Sequence, residues 1–186
     1  MPEIVYVLTN EALEGMVKIG RTTTSVEQRI KELDNTSLPL PFQCFFAGEV
    51  SDSRMVETRL HRIFSDKRVR SNREFFQVDP NKVREAILLA ATNDVTPKND
   101  VVVDAEDVQA LTKVAANNEK KSNLKFSMID IPIGAELTFS RDTTITCQVV
   151  SDGKVNFRGE VMSPSAAALK AIRELGYSWS SVSGSD

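Results

Sequence analysis

Apolar and polar side chains alternate along four short stretches of the first half of the chain. Residues 3–9 and 16–20 predict two strands, joined by a polar hairpin loop. A pair of prolines then breaks the chain, and residues 42–50 predict a third strand. The shorter apolar run at 74–78 predicts a fourth strand. All four are short enough to belong to one small sheet.

Three other stretches carry apolar residues at helical spacing. The first helix follows the second strand and begins at a hydroxyl cap, either Thr24 or Ser25. The second spans about 52–65, and the third spans about 80–91 after a capping Asp-Pro pair at 79–80. The residues that we expect to face the core are Val26, Ile30, Leu33, Val56, Leu60, Ile63 and Phe64. The predicted order is ββαβα, followed by the short strand and the last helix.

The second half of the chain restarts with strands after a polar interval. Residues 136–140 and 144–150 alternate well, and an Asp-Gly turn leads into a third strand, KVNFRGE, at 154–160. A helix follows, with Ser163 as its cap, Pro164 as its first residue and Gly176 as its stop. We therefore expect a small antiparallel sheet with one helix.

These patterns divide the chain into two α+β domains. Residues 1–92 form the first domain, with a small mixed sheet, and residues 124–186 form the second. The polar segment 93–123 is predicted to be a linker that contains a helical piece at about 104–117.

Composition agrees with a packed protein in a reducing compartment. The 186 residues are 41% hydrophobic and 26% charged, and no stretch is long and apolar enough to span a bilayer. The N-terminus lacks the pattern of a signal peptide, so we expect a cytoplasmic protein with no membrane partner. Cys44 and Cys147 lie far apart in strand-like runs, which favours two buried free thiols over a disulfide or a zinc site.

Charge is uneven although the net charge is only -3. Residues 54–73 contain seven lysines and arginines against Glu57 and Asp66. Such a local patch is able to bind a polyanion even on a domain that is near neutral. The simpler interpretation is a solvated helix face with its following loop.

The first hairpin places two polar side chains on one face. If Leu8 lies opposite Met16, then Tyr6 faces Lys18 and the apolar residues of both strands face the core. A tyrosine needs its pKa lowered by about 3 units to act as a base near pH 7. A cation about 4 Å away in a partly buried site supplies much of that shift. The alternative is an ordinary tyrosine–lysine pair on a sheet surface.

Other polar residues are expected to converge on the same face. Gly20 ends the second strand where the chain must turn, and Arg29 lies at the edge of the first helix's buried stripe. Glu57 and His61 lie one turn apart on the second helix. This set suits phosphodiester hydrolysis, with Glu57 holding one Mg²⁺ and Arg29 binding the phosphate. Tyr6 would take a proton from water.

The ordered set of motifs resembles the GIY-YIG endonuclease superfamily. The resemblance covers residues 3–90 and is closest to the phage and bacterial branch that has KIG in place of YIG. The motifs that carry it are Val5-Tyr6, Lys18-Ile19-Gly20, Arg29, Val56-Glu57 with Leu60-His61, and Glu74-Phe75-Phe76.

The resemblance implies a metal-dependent DNA endonuclease with a single Mg²⁺ or Mn²⁺. It implies that Tyr6 activates water, that Lys18 stands at the second tyrosine position, that Arg29 is the catalytic arginine and that Glu57 binds the metal. For His61, a supporting role at the site, a general-base role and simple packing against the sheet are all open. The residues expected to contact DNA are Arg21, Arg59, Arg62, Lys67, Arg68, Arg70, Asn72 and Arg73.

Two departures from the family pattern leave a second function open. Ile4 replaces the first glycine, and the usual asparagine is not clear, since Asn72 is nearby but Glu74 leads the motif. A DNA-binding adaptor with little or no turnover is therefore the alternative to an endonuclease. A protein-interaction module without a nucleic-acid role is the third reading.

The C-terminal segment is similar to small accessory domains of restriction, modification and phage nuclease proteins. That likeness implies DNA or partner recognition by a domain that is short or truncated. Phe157, Tyr177 and Trp179 either form a surface on which bases stack or pack the small core.

Overall fold

A computed structural model describes residues 1–34, 38–101 and 125–179, together with positions 109, 110 and 113. The chain forms two compact units, Met1–Val108 and Gln109–Asp186. Both combine a sheet with helices, which confirms the predicted α+β class.

The described residues of the N-terminal unit form five strands and three helices. Its strands are β1 (Ile4–Thr9), β2 (Val17–Thr22), β3 (Gln43–Glu49), β4 (Phe75–Phe76) and β5 (Asn93–Asp94). Its helices are α1 (Val26–Leu33), α2 (Ser53–Ile63) and α3 (Pro80–Leu88), with a 3-10 turn at Ser65–Lys67 after α2. The predicted order of elements is confirmed, and β5 is an addition to it.

The five strands form one sheet in the order β4-β2-β1-β3-β5. We expected a mixed sheet, but β2 and β3 flank β1 in antiparallel pairs, and β4 and β5 join the edges in antiparallel pairs. The sheet is covered on both faces. Side chains on one face pack against α2 and α3, and those on the other face pack against α1.

Alternation along β1 shows how the sheet serves both layers. Val5 and Val7 lie in the core under α2 and α3, whereas Tyr6 and Leu8 lie in the core under α1. The cluster under α1 also includes Cys44, a buried cysteine that forms no disulfide, as predicted. Because both faces are buried, the polar side chains that enter this sheet need partners.

The helix caps form where the sequence places them. Ser25, rather than Thr24, caps α1, since its side chain accepts a hydrogen bond from the Gln28 amide. Asp79 caps α3 by accepting from the Asn81 amide, and Pro80 is the first helical residue. These contacts satisfy amide groups that a helix leaves unpaired at its start.

One predicted core residue of α2 is exposed. The buried stripe of this helix advances through Ser53, Val56 and Leu60, and the partly buried Phe64 continues it. Ile63 is 62% exposed, so its assignment to the core was wrong. It follows Leu60 by three residues, a step that keeps a stripe on one face, so spacing alone could not show that it is exposed.

The N-terminal sheet extends past residue 92. Asn93–Asp94 pairs with β3 as its edge strand. The Val95 amide donates to the Ala47 carbonyl at 2.9 Å, and the Thr96 hydroxyl accepts from the Ala47 amide at 3.0 Å. These residues therefore belong to the fold rather than to a free segment. The predicted helical piece at 104–117 lies almost wholly outside the described residues, so the limits of the linker stay a prediction.

Over residues 125–179, the C-terminal unit is an antiparallel sheet with one helix, as predicted. Its strands pair in the order β6-β7-β8-β9, and a 3-10 turn at Phe126–Ile129 precedes them. The elements are β6 (Glu136–Phe139), β7 (Asp142–Ser151), β8 (Lys154–Phe157), β9 (Glu160–Met162) and α4 (Pro164–Glu174). Ser163 caps α4 through the Ala166 amide, and Gly176 follows its end at φ +86°.

The stretch KVNFRGE is not one strand. Arg158 and Gly159 both have positive φ, at 53° and 87°, and form a tight turn that splits the stretch into β8 and β9. Two consecutive residues with positive φ are typical of the two-residue turn that joins the strands of a β-hairpin.

The aromatic residues of this unit pack its core. Phe157 and Trp179 are buried, and Tyr177 packs edge-on against Trp179 with ring centroids 5.0 Å apart. The prediction that these aromatic residues pack the core is confirmed, and they do not form an exposed surface on which bases could stack. Cys147 is a free thiol and is half-buried. In the parts of the chain that the structure describes, no helix has the length and apolar character needed to cross a membrane.

Candidate active site

The hairpin of β1 and β2 is shifted by two residues from the predicted register. Tyr6 pairs with Gly20 and Leu8 pairs with Lys18, so the expected pairing of Tyr6 with Lys18 was wrong. Tyr6 and Lys18 still lie on the predicted face. Side chains on a strand alternate with a period of two, so a hydrophobic pattern distinguishes odd from even shifts but not one even shift from another.

Gly20 lies inside β2 and does not end it. A Cβ atom at this position would lie 2.6 Å from the Tyr6 hydroxyl and 2.8 Å from the adjacent ring carbon. The tyrosine side chain therefore lies against Gly20, in space that a side chain at this position would fill. Gly20 is required by this close approach and not by a turn.

Replacing Gly20 with alanine is expected to destabilise the protein by about 1–3 kcal/mol, the usual cost of overpacking a tight core. Denaturant unfolding followed by circular dichroism would measure this cost. The double variant Gly20→Ala/Tyr6→Val removes the ring and should lose less than the sum of the single variants. If the two losses add within about 0.5 kcal/mol, the Gly20–Tyr6 contact does not carry the effect.

Tyr6 is held by Arg29. The Nε of Arg29 on α1 donates a hydrogen bond to the Tyr6 hydroxyl at 3.3 Å. The Tyr6 side chain is only 1% exposed, and this burial raises the pKa of its hydroxyl. The hydrogen bond and charge of Arg29 oppose that rise but do not reverse it. The cation next to Tyr6 is therefore Arg29 and not Lys18.

The tyrosine is expected to titrate above its ordinary pKa of 10.0. Tyr6 and Tyr177 are the two tyrosines of the sequence, so a Tyr177→Phe variant isolates Tyr6. Its phenolate absorbance should rise above that pH, and Arg29→Ala should move the transition higher still, because a cation that stabilises the phenolate is lost. Circular dichroism at each pH separates titration from unfolding. A transition below 10 would contradict the burial of Tyr6 that the structure shows.

Lys18 is buried and forms an ion pair. Its ammonium Nζ lies 2.5 Å from the Glu74 carboxylate and 5.4 Å from the centroid of the Phe75 ring. Only 7% of Lys18 is exposed, so burial without this carboxylate would be costly. Strand β4 pairs with β2, which brings Glu74 alongside Lys18.

Glu57 and His61 extend from α2 toward β2. The Glu57 carboxylate lies 3.4 Å from Arg21 Nε. Burial raises the pKa of Glu57, as does the nearby charge of Glu74, whereas His61, Arg21 and Lys18 lower it. His61 Nε2 lies 3.0 Å from the carbonyl of Ile19. A carbonyl only accepts, so this nitrogen carries a proton and donates it, and the imidazole links α2 to β2.

One cleft of about 360 Å³ brings together three of the five predicted catalytic and metal-binding residues and one predicted DNA contact. Tyr6, Arg21, Arg29 and Glu57 all line it, although they come from four different elements. Lys18 and His61 are not among the lining residues. The remaining lining residues were not predicted to belong to the site, and they are Thr22, Thr23, Thr24, Glu32 and Glu74.

Glu74 is the most informative of these additions. The sequence suggested it only as a replacement for the missing asparagine. A stronger signal was present, because Glu74 directly precedes the two aromatic residues that form the strand beside Lys18. A buried lysine inside a sheet needs a carboxylate on or beside a neighbouring strand.

Most of the predicted DNA-contacting residues lie away from the cleft. Arg59 and Arg62 line a separate groove on the solvent face of α2 with Arg54, Met55 and Thr58. The others follow α2, where Arg68 Nε donates to the Arg73 carbonyl at 2.6 Å and Lys67 pairs with Asp66. The members of this second group are Lys67, Arg68, Arg70, Asn72 and Arg73. Arg21 is the member of the predicted set that joins the cleft.

A hard cation such as Mg²⁺ would need oxygen ligands from water and substrate in addition to those of this cleft. Among the described residues, no three His, Cys, Asp or Glu side chains gather as a metal-binding group. Glu57 and Glu74 nevertheless line the same cleft, and the charge of Glu74 helps to raise the pKa of Glu57. Mg²⁺ is commonly bound by one or two carboxylates together with waters and phosphate oxygens, so Glu57 alone is sufficient as the protein ligand.

Comparison with known protein families finds a match over the segment that contains the cleft. Residues 3–90 match the T5orf172 domain. The T5orf172 domain is found in phage-type nucleases, GIY-YIG-like ones among them, while no match specific to the GIY-YIG family was found. The matched segment contains every residue that lines the cleft. No curated protein matches the chain, and no solved structure does. A T5orf172 match indicates a nuclease or DNA-binding role for this unit.

Proposed function

We propose that the N-terminal unit is a metal-dependent endonuclease that hydrolyses phosphodiester bonds in DNA. The observation that carries this proposal is the meeting of Tyr6, Arg29 and Glu57 in one cleft, from β1, α1 and α2. A phosphate-binding cation, a hydroxyl and a metal-binding carboxylate are the groups that this chemistry requires. The T5orf172 match supports the same class of activity.

Arg29 is proposed to bind the phosphate. Its Nε is used by Tyr6, and its Nη1 donates to Glu32 at 3.0 Å. A guanidinium has five N–H donors, so donors remain for two phosphate oxygens. Arg21 adds a second guanidinium on the same cleft. Positive charge at these positions stabilises the charge that develops on the phosphate oxygens.

Glu57 is proposed to hold a single Mg²⁺ or Mn²⁺ ion. When bound, such an ion stabilises negative charge on the phosphate and on the leaving oxygen. Burial of Glu57 and its proximity to Glu74 make its carboxylate a favourable place for a cation, since an ion there relieves both effects. His61 supports this arrangement by fixing α2 against the Ile19 carbonyl.

Tyr6 is proposed to orient the phosphate through its hydroxyl. That oxygen accepts from Arg29, which leaves its own proton to be donated into the cleft. Burial raises the hydroxyl's pKa, which is the opposite of what a base at neutral pH needs. The role of water-activating base, which the family resemblance implies, is therefore not supported for Tyr6 in the free protein.

DNA is the proposed partner of both units. The basic residues on and after α2 supply positive charge outside the cleft, at positions able to follow a phosphate backbone. For the C-terminal unit, DNA or partner targeting rests on its resemblance to accessory domains.

The proposal is tested by incubating supercoiled plasmid with the protein in Mg²⁺, in Mn²⁺ and in excess chelator. Nicked and linear DNA should appear with either metal and should be absent with the chelator. Plasmid that remains supercoiled at a molar excess of protein in both metals would overturn the endonuclease proposal.

A DNA-binding adaptor without turnover is the second candidate. Lys18, Arg21 and Arg29 are each paired with a carboxylate, and Tyr6 is not activated by Lys18. A cleft neutralised in this way is able to bind without cleaving. Fluorescence anisotropy with a labelled duplex distinguishes the two functions, since an adaptor would bind the duplex and leave the plasmid intact.

A further inference from the structure

Glu74 presents an unshared carboxylate oxygen to the cleft. Its Oε2 receives the Lys18 ammonium at 2.5 Å, while Oε1 has no hydrogen-bond partner among the described residues. The side chain is 41% exposed, so the carboxylate reaches the space that Tyr6, Arg29 and Glu57 line. The Glu74 carbonyl also accepts from the Ile19 amide at 3.1 Å, which fixes the backbone beside β2.

The surroundings of Glu74 favour its ionised form. Burial raises the pKa of Glu74, but the hydrogen bond and charge of Lys18 outweigh burial, and the pKa is lowered overall. The charges of His61 and Arg29 add to this lowering. Glu57, in the same cleft, has a raised pKa. Two carboxylates whose pKa values are moved apart are commonly assigned to different tasks in one reaction.

We propose that Glu74 is the catalytic base of this cleft, with Lys18 as the positioning residue that holds it. The proposal rests on the endonuclease function proposed above. Oε1 accepts a hydrogen bond from the attacking water and orients it toward the phosphate. Lys18 keeps the opposite oxygen fixed, so the carboxylate cannot rotate away. An acidic side chain has the same task in other phosphoryl-transfer enzymes, where it orients the nucleophile and receives its proton.

The reaction balances with these groups. The water oxygen forms a bond to phosphorus, and its proton passes to Glu74 Oε1. The bond between phosphorus and the leaving oxygen breaks, and that oxygen keeps the electron pair and takes a proton from solvent. Glu74 then returns its proton to solvent, and no oxidant, reductant or further reactant is needed.

This assignment also accounts for Lys18. The lysine occupies the second-tyrosine position of the family pattern, yet the hairpin register separates it from Tyr6. Its short contact with Glu74 gives it a different task. A lysine that is 7% exposed is well held by β2 and makes a rigid anchor for an exposed carboxylate.

The variant Glu74→Gln keeps the shape of the side chain and removes the base. We expect kcat to fall by roughly 10²-fold or more, the usual contribution of a general base. Affinity for a labelled duplex in Ca²⁺ should be unchanged or tighter, because a negative charge is lost. The Mg²⁺ concentration for half-maximal rate should also be unchanged. Cleavage within about threefold of wild type would overturn the proposal, and so would recovery at high Mg²⁺, which would make Glu74 a metal ligand.

Formate supplies a readout that a structural role would not move. In Glu74→Ala, the space left by the side chain admits a small carboxylate, and added formate should restore cleavage in proportion to its concentration. Chloride at equal ionic strength is the control. Formate that restores no more activity than chloride would contradict a base at this position.

Lys18→Met tests the positioning role through the pH profile. The titratable groups near Glu74 are Lys18 on β2, His61 and Glu57 on α2, Arg29 on α1 and the neutral Tyr6 hydroxyl on β1. Loss of Lys18 removes the largest influence that lowers the Glu74 pKa, so more base is protonated at a given acid pH. At saturating Mg²⁺, the acid limb of kcat should move to higher pH, and the plateau should fall because the Glu74 carboxylate is no longer held in place. An unmoved limb with a lower plateau would show that Lys18 acts on substrate directly.

The outcomes separate this inference from the endonuclease proposal. If wild type and Glu57→Gln both leave plasmid intact, the endonuclease function fails. If wild type cleaves, Glu57→Gln does not and Glu74→Gln cleaves normally, the function stands and the role of Glu74 fails. Thermal melts of each variant show whether a loss of rate reflects a loss of folding.

Discussion

Replacing Arg29 with alanine is expected to slow plasmid cleavage by roughly 10²–10³-fold, the range found when a donor to a developing oxyanion is removed. The guanidinium has two tasks in this cleft. It holds the Tyr6 hydroxyl at 3.3 Å, and it offers its remaining donors to the phosphate. Single-turnover cleavage rates at saturating protein measure the loss without a contribution from product release.

Arg59→Ala is the matched control for Arg29→Ala. It removes the same type of side chain, but Arg59 lines the groove on the solvent face of α2 and not the cleft. Its single-turnover rate at saturating protein should stay within about threefold of wild type, since a distant phosphate contact affects affinity and not the chemical step. Equal losses in the two variants would mean that Arg29 contributes only general positive charge. Arg29→Lys should not restore the rate, because an ammonium lacks the planar fork of donors.

The order of elements could be predicted because it depends on local patterns. Strand and helix periods differ, and the capping residues Ser25, Asp79 and Ser163 mark their helices within the sequence. The face of the sheet on which Tyr6 and Lys18 lie was predictable for the same reason, since a period of two separates the faces.

The register of the first hairpin could not be predicted from that pattern. A shift by two residues leaves the same side chains buried, so the hydrophobic pattern is satisfied equally by both pairings. What distinguishes them is the fit of the Tyr6 ring over Gly20. This contact forms only in the folded sheet, and the glycine at position 20 is the one sign of it in the sequence.

The ion-pair partner of Lys18 could not be predicted from the sequence for a related reason. Glu74 lies on the far side of two helices and a strand in the sequence, and only the pairing of β4 with β2 brings it to Lys18. Sequence reasoning chose the nearest polar residue, Tyr6, on the adjacent strand. A prediction that considers only the β1–β2 hairpin does not include the edge strand β4, beside which Glu74 lies.

Two smaller differences have local causes. Ile63 was placed in the core because it is apolar and follows Leu60 by three residues, but it is the last residue of α2 and is exposed. The turn at Arg158 and Gly159 was missed because the first of these residues is not among those that favour positive φ. In both cases the prediction relied on the local sequence, whereas the geometry of the folded chain determined the structure.

Replacing Glu57 with glutamine is expected to have the largest effect of any single change in the cleft. Glutamine keeps the size of the side chain but loses the charge that holds a divalent cation. Loss of the several kcal/mol that a bound metal supplies to phosphate chemistry corresponds to a rate at least about 10³-fold lower. Glu32→Gln is the control, because Glu32 lines the same cleft and pairs with Arg29, and its rate should fall by less than about tenfold.

The most direct measurement is single-turnover cleavage of supercoiled plasmid in Mg²⁺ by wild type, Glu57→Gln and Glu32→Gln side by side. Duplex affinity in Ca²⁺ is measured for the same three proteins, so that a lost chemical step is distinguished from lost binding. The predicted result is metal-dependent cleavage by wild type and Glu32→Gln, with Glu57→Gln binding DNA and leaving it intact. Cleavage by Glu57→Gln at the wild-type rate, or none by wild type, would contradict a metal-dependent nuclease site in this cleft.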